Sequence, residues 1–547
     1  MRYLYLVLLL AGLLPRWLPL LAQAPTFALR RQLDSIATQD VPPGAPGMAT
    51  AILHHGRLYY QRVAGFAQLP DSQLITPDSR FNIASNAKQY TALAVLLLVN
   101  EGRLRLEDDI RQYFPALLPA IRQRISIGHL LQHRSGLRDV YDLWSLQQIT
   151  WWQQSYTNAD ALALLQRQQA LNFEPGSRYL YSNSNYILLA LLVEKLRGQP
   201  FAAYMQGLFG QLGMPATRFE DGATPLAGPI AAAYFNFNTW TTYRWQWRVV
   251  GDGNLFSSLN DQIRWEQLLA GRGHTMVPLA VWRQLQSFPD TPATQPYGFG
   301  LERGLYKGLP CVFHEGATGA WKATVLRFPQ EGWVFLTLVN TGKAIPAMQT
   351  RQLADAVLGL PASIAEAQPT VPNGQQLQAA ELEGVYLTPD YFRFQFVPEN
   401  DQLRLHRNGR SDVVLQRRDG NTWQQVGDSS FQLSFRRQAD EQYTVTAHHP
   451  SHAPYTLSRV QANWSGFDAS QLSGSFYNEE LDLTLQLQPV QGREYRLLIG
   501  ADTNRATLVS PRLLLGGGYA IELPANQPGT LLLQGSRILG VQFRRRY

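Results

Sequence analysis

Phe81-Asn-Ile-Ala-Ser85-Asn-Ala-Lys88, running straight into the apolar stretch 89–100, sets a serine and a lysine three residues apart at the expected first turn of a helix. Residues three apart share a helix face, so the lysine is placed to take the hydroxyl proton. The backbone N–H of a first-turn serine has no partner within the helix and is free to bind a developing oxyanion. The choice of lysine carries information, because of 48 basic side chains only Lys88, Lys195, Lys307, Lys322 and Lys343 are not arginine. Arginine serves wherever only charge is wanted; a desolvated ammonium, unlike a guanidinium, can give up its proton. Ser-x-x-Lys alone also fits a helix cap followed by a solvated lysine. The apolar helix and the scarcity of other lysines make that reading less comfortable here.

Two further segments bear on the choice. Glu174-Pro-Gly-Ser-Arg-Tyr179-Leu-Tyr181-Ser-Asn183-Ser-Asn-Tyr186 is a polar, turn-forming loop entering a helix. A tyrosine near ammonium groups can be held as phenolate, and Asn183 can present its amide to a substrate carbonyl and to Lys88. Taken alone, Tyr-Ser-Asn is ordinary capping. Val312-Phe-His314-Glu-Gly316-Ala317-Thr-Gly319 reads as a strand in which Gly316 lets a substrate backbone lie close and the Ala317 N–H serves as a second oxyanion donor. Its plainer reading is a histidine on a partly buried strand.

In this order and at these separations the three segments resemble the serine β-lactamase and penicillin-binding-protein superfamily, in particular its class C β-lactamase-related branch of esterases, D-aminopeptidases and DD-peptidases. The resemblance covers about residues 28–358 and extends to 125–137, 251–261 and Tyr297-Gly-Phe-Gly300. It implies Ser85 as acylated nucleophile, Lys88 and Tyr181 as the proton-handling pair, Asn183 as partner of substrate and lysine, and His314 in the third motif. Glu315 and Gly316 would then border the substrate, with the Ser85 and Ala317 N–H groups forming the oxyanion hole. No metal or organic cofactor is implied. The chain departs from the family pattern where β-lactamases of this branch carry Lys-Thr-Gly. His314-Glu315-Gly316 replaces a fixed ammonium and adds a carboxylate, which weakens attraction for the free carboxylate of a penicillin or a D-alanyl peptide.

The 547 residues exceed one compact core, and the expected organisation is a signal peptide over 1–22, a catalytic domain over 23–360, a linker over 361–378 and two barrels over 379–462 and 463–547. Arg2, the apolar run Tyr3–Leu14 and Leu20-Leu-Ala22-Gln-Ala24 read as an export signal cut after Ala22, giving a bacterial periplasmic or secreted protein with no stable membrane span after cleavage. The formal charge of +7 is spread among interspersed arginines and acids, so nothing points to nucleic acid. The single cysteine, Cys311, excludes an internal disulfide and reads as a small buried side chain.

Strand patterns at 47–65 and at 311–340 enclose helices at 89–100, 125–137 and 186–196, which implies one mixed sheet assembled from distant segments. A helix around 27–37 precedes it and a helix at 349–358 packs on it. The fold class expected is α+β: a β-lactamase/transpeptidase-like domain with an antiparallel mixed sheet flanked by helices, followed by two small lipocalin-like antiparallel barrels. The barrels are read from a repeat in which Glu381-Leu-Glu-Gly384-Val-Tyr386 and Gln471-Leu-Ser-Gly474-Ser-Phe476 stand 90 residues apart. His448-His-Pro-Ser-His452 reads as a polar turn rather than a metal site, and Leu515-Gly-Gly-Gly518 as a hairpin turn. The function expected is hydrolysis of small esters, amides or peptides through a Ser85 acyl-enzyme. The rival readings are a β-lactamase or DD-carboxypeptidase and a catalytically silent cell-wall-binding protein.

Overall fold

The computed structural model describes residues 24–150, 153–243, 245–289, 297–361, 376–407, 411–438, 442–449, 452–464 and 472–546. The expected signal segment and most of the expected linker lie outside these residues. In chain order the elements that frame the site are helix α1 (Phe27–Thr38), strands β1 (Met48–His54) and β2 (Arg57–Ala64), and helices α2 (Lys88–Asn100) and α3 (Asn183–Arg197). Strands β3 (Glu302–Tyr306), β4 (Leu309–Thr318), β5 (Trp321–Phe328) and β6 (Trp333–Val339) follow, with helix α4 (Pro346–Leu358) last.

The six strands form one sheet in the order β3-β4-β5-β6-β1-β2. Every pair is antiparallel, and the sheet is assembled from distant segments as the sequence implied: β1 meets β6 with Met48 opposite Val339 and His54 opposite Trp333. Because successive strand residues face opposite sides, the sheet sorts its side chains into two cores. Ile52, Leu326 and Phe335 pack with Leu33 of α1 and Leu353 of α4. Ala51, Leu53, Val325 and Leu336 face the helical layer around α2 and α3. Cys311 lies in the first of these cores at 4% exposure, and burial pushes its thiol up to about 11.

α2 is the buried central helix its all-round apolar composition predicts. Leu93, Leu96 and Leu98 are fully buried, each contributing roughly 1.5–3 kcal/mol. That favourable burial offsets the cost of carrying Lys88 into the interior at 0% exposure. Gly102 at φ +69° ends the helix, its left-handed conformation being one that glycine adopts without strain. The helix expected over 125–137 is confined to Ile127–Leu131, because His133 and Gly136 both take positive φ (+54° and +76°) and turn the chain away.

The C-terminal half forms two closed eight-stranded antiparallel barrels, the first within Gly384–Arg459 and the second within Gly474–Arg546. The repeat has a structural cause at Gly384 and Gly474, which open the first strand of each barrel at φ +140° and +131°. A Cβ at either would press on an arginine, Arg459 or Arg545 respectively. His448 and His452 lie on the two arms of a hairpin in the first barrel, whose turn is outside the described residues. Gly517 and Gly518, at φ +58° and +87°, make the expected hairpin turn.

Candidate active site

Ser85 stands in a short 3₁₀ turn, Ala84–Ala87, that leads directly into α2. From Phe81 to Leu96 it is the one residue that is not fully buried. Ala84, just before it, holds φ +48°, a region that costs a non-glycine residue of order 1 kcal/mol and persists only where the surroundings enforce it. They do so here, since Ala84 N–H donates to Asn82 Oδ1 at 3.0 Å. Ser85 is thereby raised on a strained turn at the base of α2.

Lys88 points back at it. Its Nζ donates to Ser85 Oγ at 3.1 Å, to Asn183 Oδ1 at 2.9 Å and to the Asp252 carbonyl at 2.6 Å. Burial lowers the ammonium to about 8, with the Asp252 and Asp139 carboxylates acting in the opposite direction. Burial equally raises the Asp252 carboxyl, so both charges of this neighbourhood are held at a cost. A lysine that ionises near 8 presents a neutral amine in about a tenth of molecules at pH 7, enough to act as a general base.

Tyr181 hydrogen-bonds Ser85, yet burial raises its hydroxyl well above the ordinary value of 10. The expectation that nearby ammonium groups hold it as phenolate is therefore corrected. Desolvation outweighs the Ser85 hydrogen bond and the Arg537 cation, which act the other way, so the neutral hydroxyl is favoured, with Lys88 Nζ 4.9 Å from the ring centre. It is placed to pass a proton rather than to hold a negative charge.

Asn183 opens α3. Its backbone N–H and its side-chain Nδ2 both donate to Asp139 Oδ2, at 2.6 and 2.9 Å. This fixes the amide orientation, leaving Oδ1 for Lys88. Asp139 is fully buried and is held in turn by Arg537, whose guanidinium lies 3.2 Å from the same oxygen. Arg537 belongs to the loop between the last two strands of the second barrel, and it also bonds Asp142. Next to it Arg138, 2% exposed, bonds Glu480 at 2.7 Å and the Gly540 carbonyl at 2.9 Å. The second barrel is thus joined to the residues that orient Asn183. The first barrel reaches the Tyr181 loop through Asp390, 3.0 Å from Arg178.

β4 forms the opposite wall. A Cβ on Gly316 would lie 2.4 Å from the Ile83 carbonyl and 3.1 Å from Ser85 N. What this glycine admits is the turn that carries Ser85, where the sequence suggested a substrate backbone. The close approach brings the exposed Ala317 alongside Ser85. His314, 2% exposed, meets the Tyr297 hydroxyl through Nε2 at 2.9 Å and the Glu315 carbonyl through Nδ1 at 2.9 Å. Burial and the nearby Lys88 push it down to about 3, so it is a neutral imidazole.

Glu315 is not brought into the site. Alternation along β4 turns it to the other face of the sheet, where it accepts a hydrogen bond from Arg351 of α4 at 3.0 Å. The third motif therefore offers the cleft neither a cation nor this carboxylate.

Five participants escaped the sequence reading, Asp139 among them. Tyr297 and the Asp252 carbonyl lie in segments recognised only as connections. In the first, Gly300 lets the chain pass against Lys88 and Gln89, where a Cβ would come within 2.6 Å of backbone. His133 packs 4.2 Å from the Tyr181 ring and accepts the Ser182 N–H at 3.2 Å, so it holds the loop in place. Arg537 carries no local signal, since its role arises only from docking of the barrel.

A Ser–Lys–Tyr constellation with its lysine buried, at the foot of a central helix and facing β4 of the sheet, stands in a fold of the β-lactamase and penicillin-binding-protein type. The beta-lactamase family model matches residues 33–360, and the chain belongs to that family. Two D-aminopeptidases of Brucella anthropi are each 30% identical, one over 337 residues (57% of this chain, 62% of that relative) and one over 415 residues (72% of this chain, 76% of that relative). The octameric penicillin-binding protein homologue from Pyrococcus abyssi shares the fold with a TM-score of 0.56 at 20% identity, covering 78% of this chain and 99% of the homologue.

Proposed function

We propose that this chain is an exported, class C β-lactamase-related serine hydrolase that cleaves amides of D-amino acids or short peptides through an acyl-enzyme on Ser85. The observation that carries the reading is the buried Lys88, 3.1 Å from Ser85 Oγ and lowered to about 8. The relatives named as D-aminopeptidases support the substrate class. So does the third motif, where a neutral His314 replaces the cation that would hold a free carboxylate.

Neutral Lys88 takes the Ser85 proton as Oγ attacks the substrate carbonyl carbon. The N–H groups of Ser85 and Ala317 receive the oxyanion, a form of stabilisation worth about 3–4 kcal/mol per donor. Tyr181, hydrogen-bonded to Ser85, relays the proton to the leaving nitrogen as the C–N bond breaks. Water then attacks the ester, giving its proton back through the same groups and releasing the acid with Ser85 restored. Asn183, held by Asp139, orients Lys88 and offers its amide to the substrate.

The reading is tested by turnover of D-aminoacyl p-nitroanilides, p-nitrophenyl esters and nitrocefin by wild type and Ser85→Ala, with the acyl-enzyme followed by intact mass. Turnover of the D-aminoacyl amides that vanishes in Ser85→Ala is expected. Rapid nitrocefin hydrolysis with inert amides would replace this reading with a β-lactamase, and no acyl adduct with any substrate would favour a silent wall-binding protein. Export is tested by N-terminal sequencing of the periplasmic or secreted protein, which should begin at Gln23.

A further inference from the structure

A cavity of about 420 Å³ lies beside the catalytic turn, lined by Glu220, Tyr243, Trp245, Arg248, Phe256 and Trp321 among others. It is tied to Ser85 by a short relay. Trp245 Nε1 donates to Asn254 Oδ1 at 2.9 Å, Asn82 Nδ2 donates to the same oxygen at 3.1 Å, and Asn82 Oδ1 accepts the N–H of Ala84. From the other side the cavity wall abuts the end of β4: a Cβ on Gly319 would lie 3.8 Å from Trp245 and 3.9 Å from Trp321. Gly319 is two residues beyond Ala317. A Cβ on Gly253 would have the Ala84 backbone as its nearest neighbour, at 3.7–3.9 Å. The cavity thus lies beside both the turn that carries Ser85 and the end of β4.

Its charged lining is the Glu220–Arg248 pair, of which the acid is the more buried member. Glu220 is 5% exposed. Its Oε1 accepts the Gly222 N–H at 2.9 Å and Arg248 at 3.2 Å, while its Oε2 is buried and accepts no hydrogen bond from the described residues. A buried carboxylate oxygen without a donor is unfavourable until a ligand supplies one. The Arg248 side chain is 27% exposed against 7% for Glu220, so water screens the arginine more than the acid. Aromatic neighbours add a preference for cations.

We propose that this cavity is the subsite for the substrate's acyl side chain and that Glu220 binds an ammonium or guanidinium at its end. The preferred substrates are then aminoacyl compounds whose side chains have the length and charge of lysine or arginine. This rests on the amide-hydrolase reading of Ser85.

The test measures kcat/KM for the p-nitroanilides of D-Lys, D-Arg, D-Leu and D-Phe, and for the p-nitrophenyl esters of 6-aminohexanoate and hexanoate, with wild type and Glu220→Gln. Expected is a wild-type preference of at least about fivefold for the cationic member of each set, falling about tenfold in Glu220→Gln while D-Leu changes less than about twofold; this is the loss typical of removing one charged hydrogen bond. A wild-type preference for the neutral chain overturns the proposal whether or not the variant folds. So does a preference that the substitution leaves within about twofold. Inert anilides with an ester ratio that still follows Glu220 would sink the amide reading and keep the subsite. No turnover of either set would sink both.

Discussion

Arg537 of the second barrel and Asp139 of the catalytic domain form an ion pair at 3.2 Å, although 398 positions of chain separate them. The pair completes a relay of contacts in which Asp139 fixes Asn183, Asn183 fixes Lys88, and Lys88 meets Ser85. Burial raises the Asp139 carboxyl, and Arg537 is the leading influence that opposes this. Removing the guanidinium leaves an uncompensated buried carboxylate, a change that typically costs about 3–5 kcal/mol. Arg537→Ala is expected to lower thermal stability and reduce kcat by about 10- to 100-fold, with KM changed less, as for the loss of a partner that orients a catalytic group. Arg537→Lys should recover part of the loss. Steady-state kinetics and thermal melts of the two variants check this.

Lys88 is held against its own stability. Its folded value of about 8 lies below the ordinary 10.5, so between these pH values the unfolded chain binds the proton that the folded chain has released. Stability from this group therefore rises with pH through that window and is lowest below about pH 8. Lys88→Met is expected to abolish turnover and to raise unfolding free energy at pH 7 by about 1–3 kcal/mol, the gain vanishing toward pH 10.5. Urea melts across that range measure it.

The pH dependence of turnover follows from the same residue. kcat/KM should climb through an apparent value near 8 as Lys88 loses its proton. His314, pushed down to about 3, stays neutral above that and adds no limb between pH 5 and 7. A limb near 6.5 that disappears in His314→Gln would show the imidazole to be charged in the working enzyme.

Gly316 is set by geometry rather than chemistry. A methyl there would stand 2.4 Å from the Ile83 carbonyl, so Gly316→Ala must push β4 away from the nucleophile's turn and pull the Ala317 N–H off the oxyanion position. A fall in kcat of about 10²- to 10³-fold is expected, the loss of one oxyanion donor. Ala317→Ser, which keeps the backbone, should stay within about tenfold of wild type.

The sequence made the fold legible wherever periodicity and local chemistry agreed. The all-round apolar α2, the three C-terminal strands and the Gly384–Gly474 repeat each carried their own physical signature. Ser85, Lys88, Tyr181, Asn183 and His314 were picked out because three motifs, in that order and at those separations, resemble the β-lactamase and penicillin-binding-protein superfamily; each motif alone also fits ordinary capping or a partly buried strand. Glu315 misled because being a neighbour in sequence is not being a neighbour on a face: strand alternation sends it to Arg351. The protonation state of Tyr181 could not be read from residue type, since burial decides it. Asp139 and Arg537 were invisible for a third reason, that their pairing exists only once the second barrel has docked.

If Lys88 moves the Ser85 proton, Lys88→Arg should disable acylation, because it keeps the charge while removing the means of releasing it. Rates of acyl-enzyme formation, followed by intact mass against Ser85→Ala and wild type, are predicted to fall about 10²- to 10⁴-fold in the folded variant, the range of general-base catalysis. A Lys88→Arg enzyme that acylates at the wild-type rate would contradict the account.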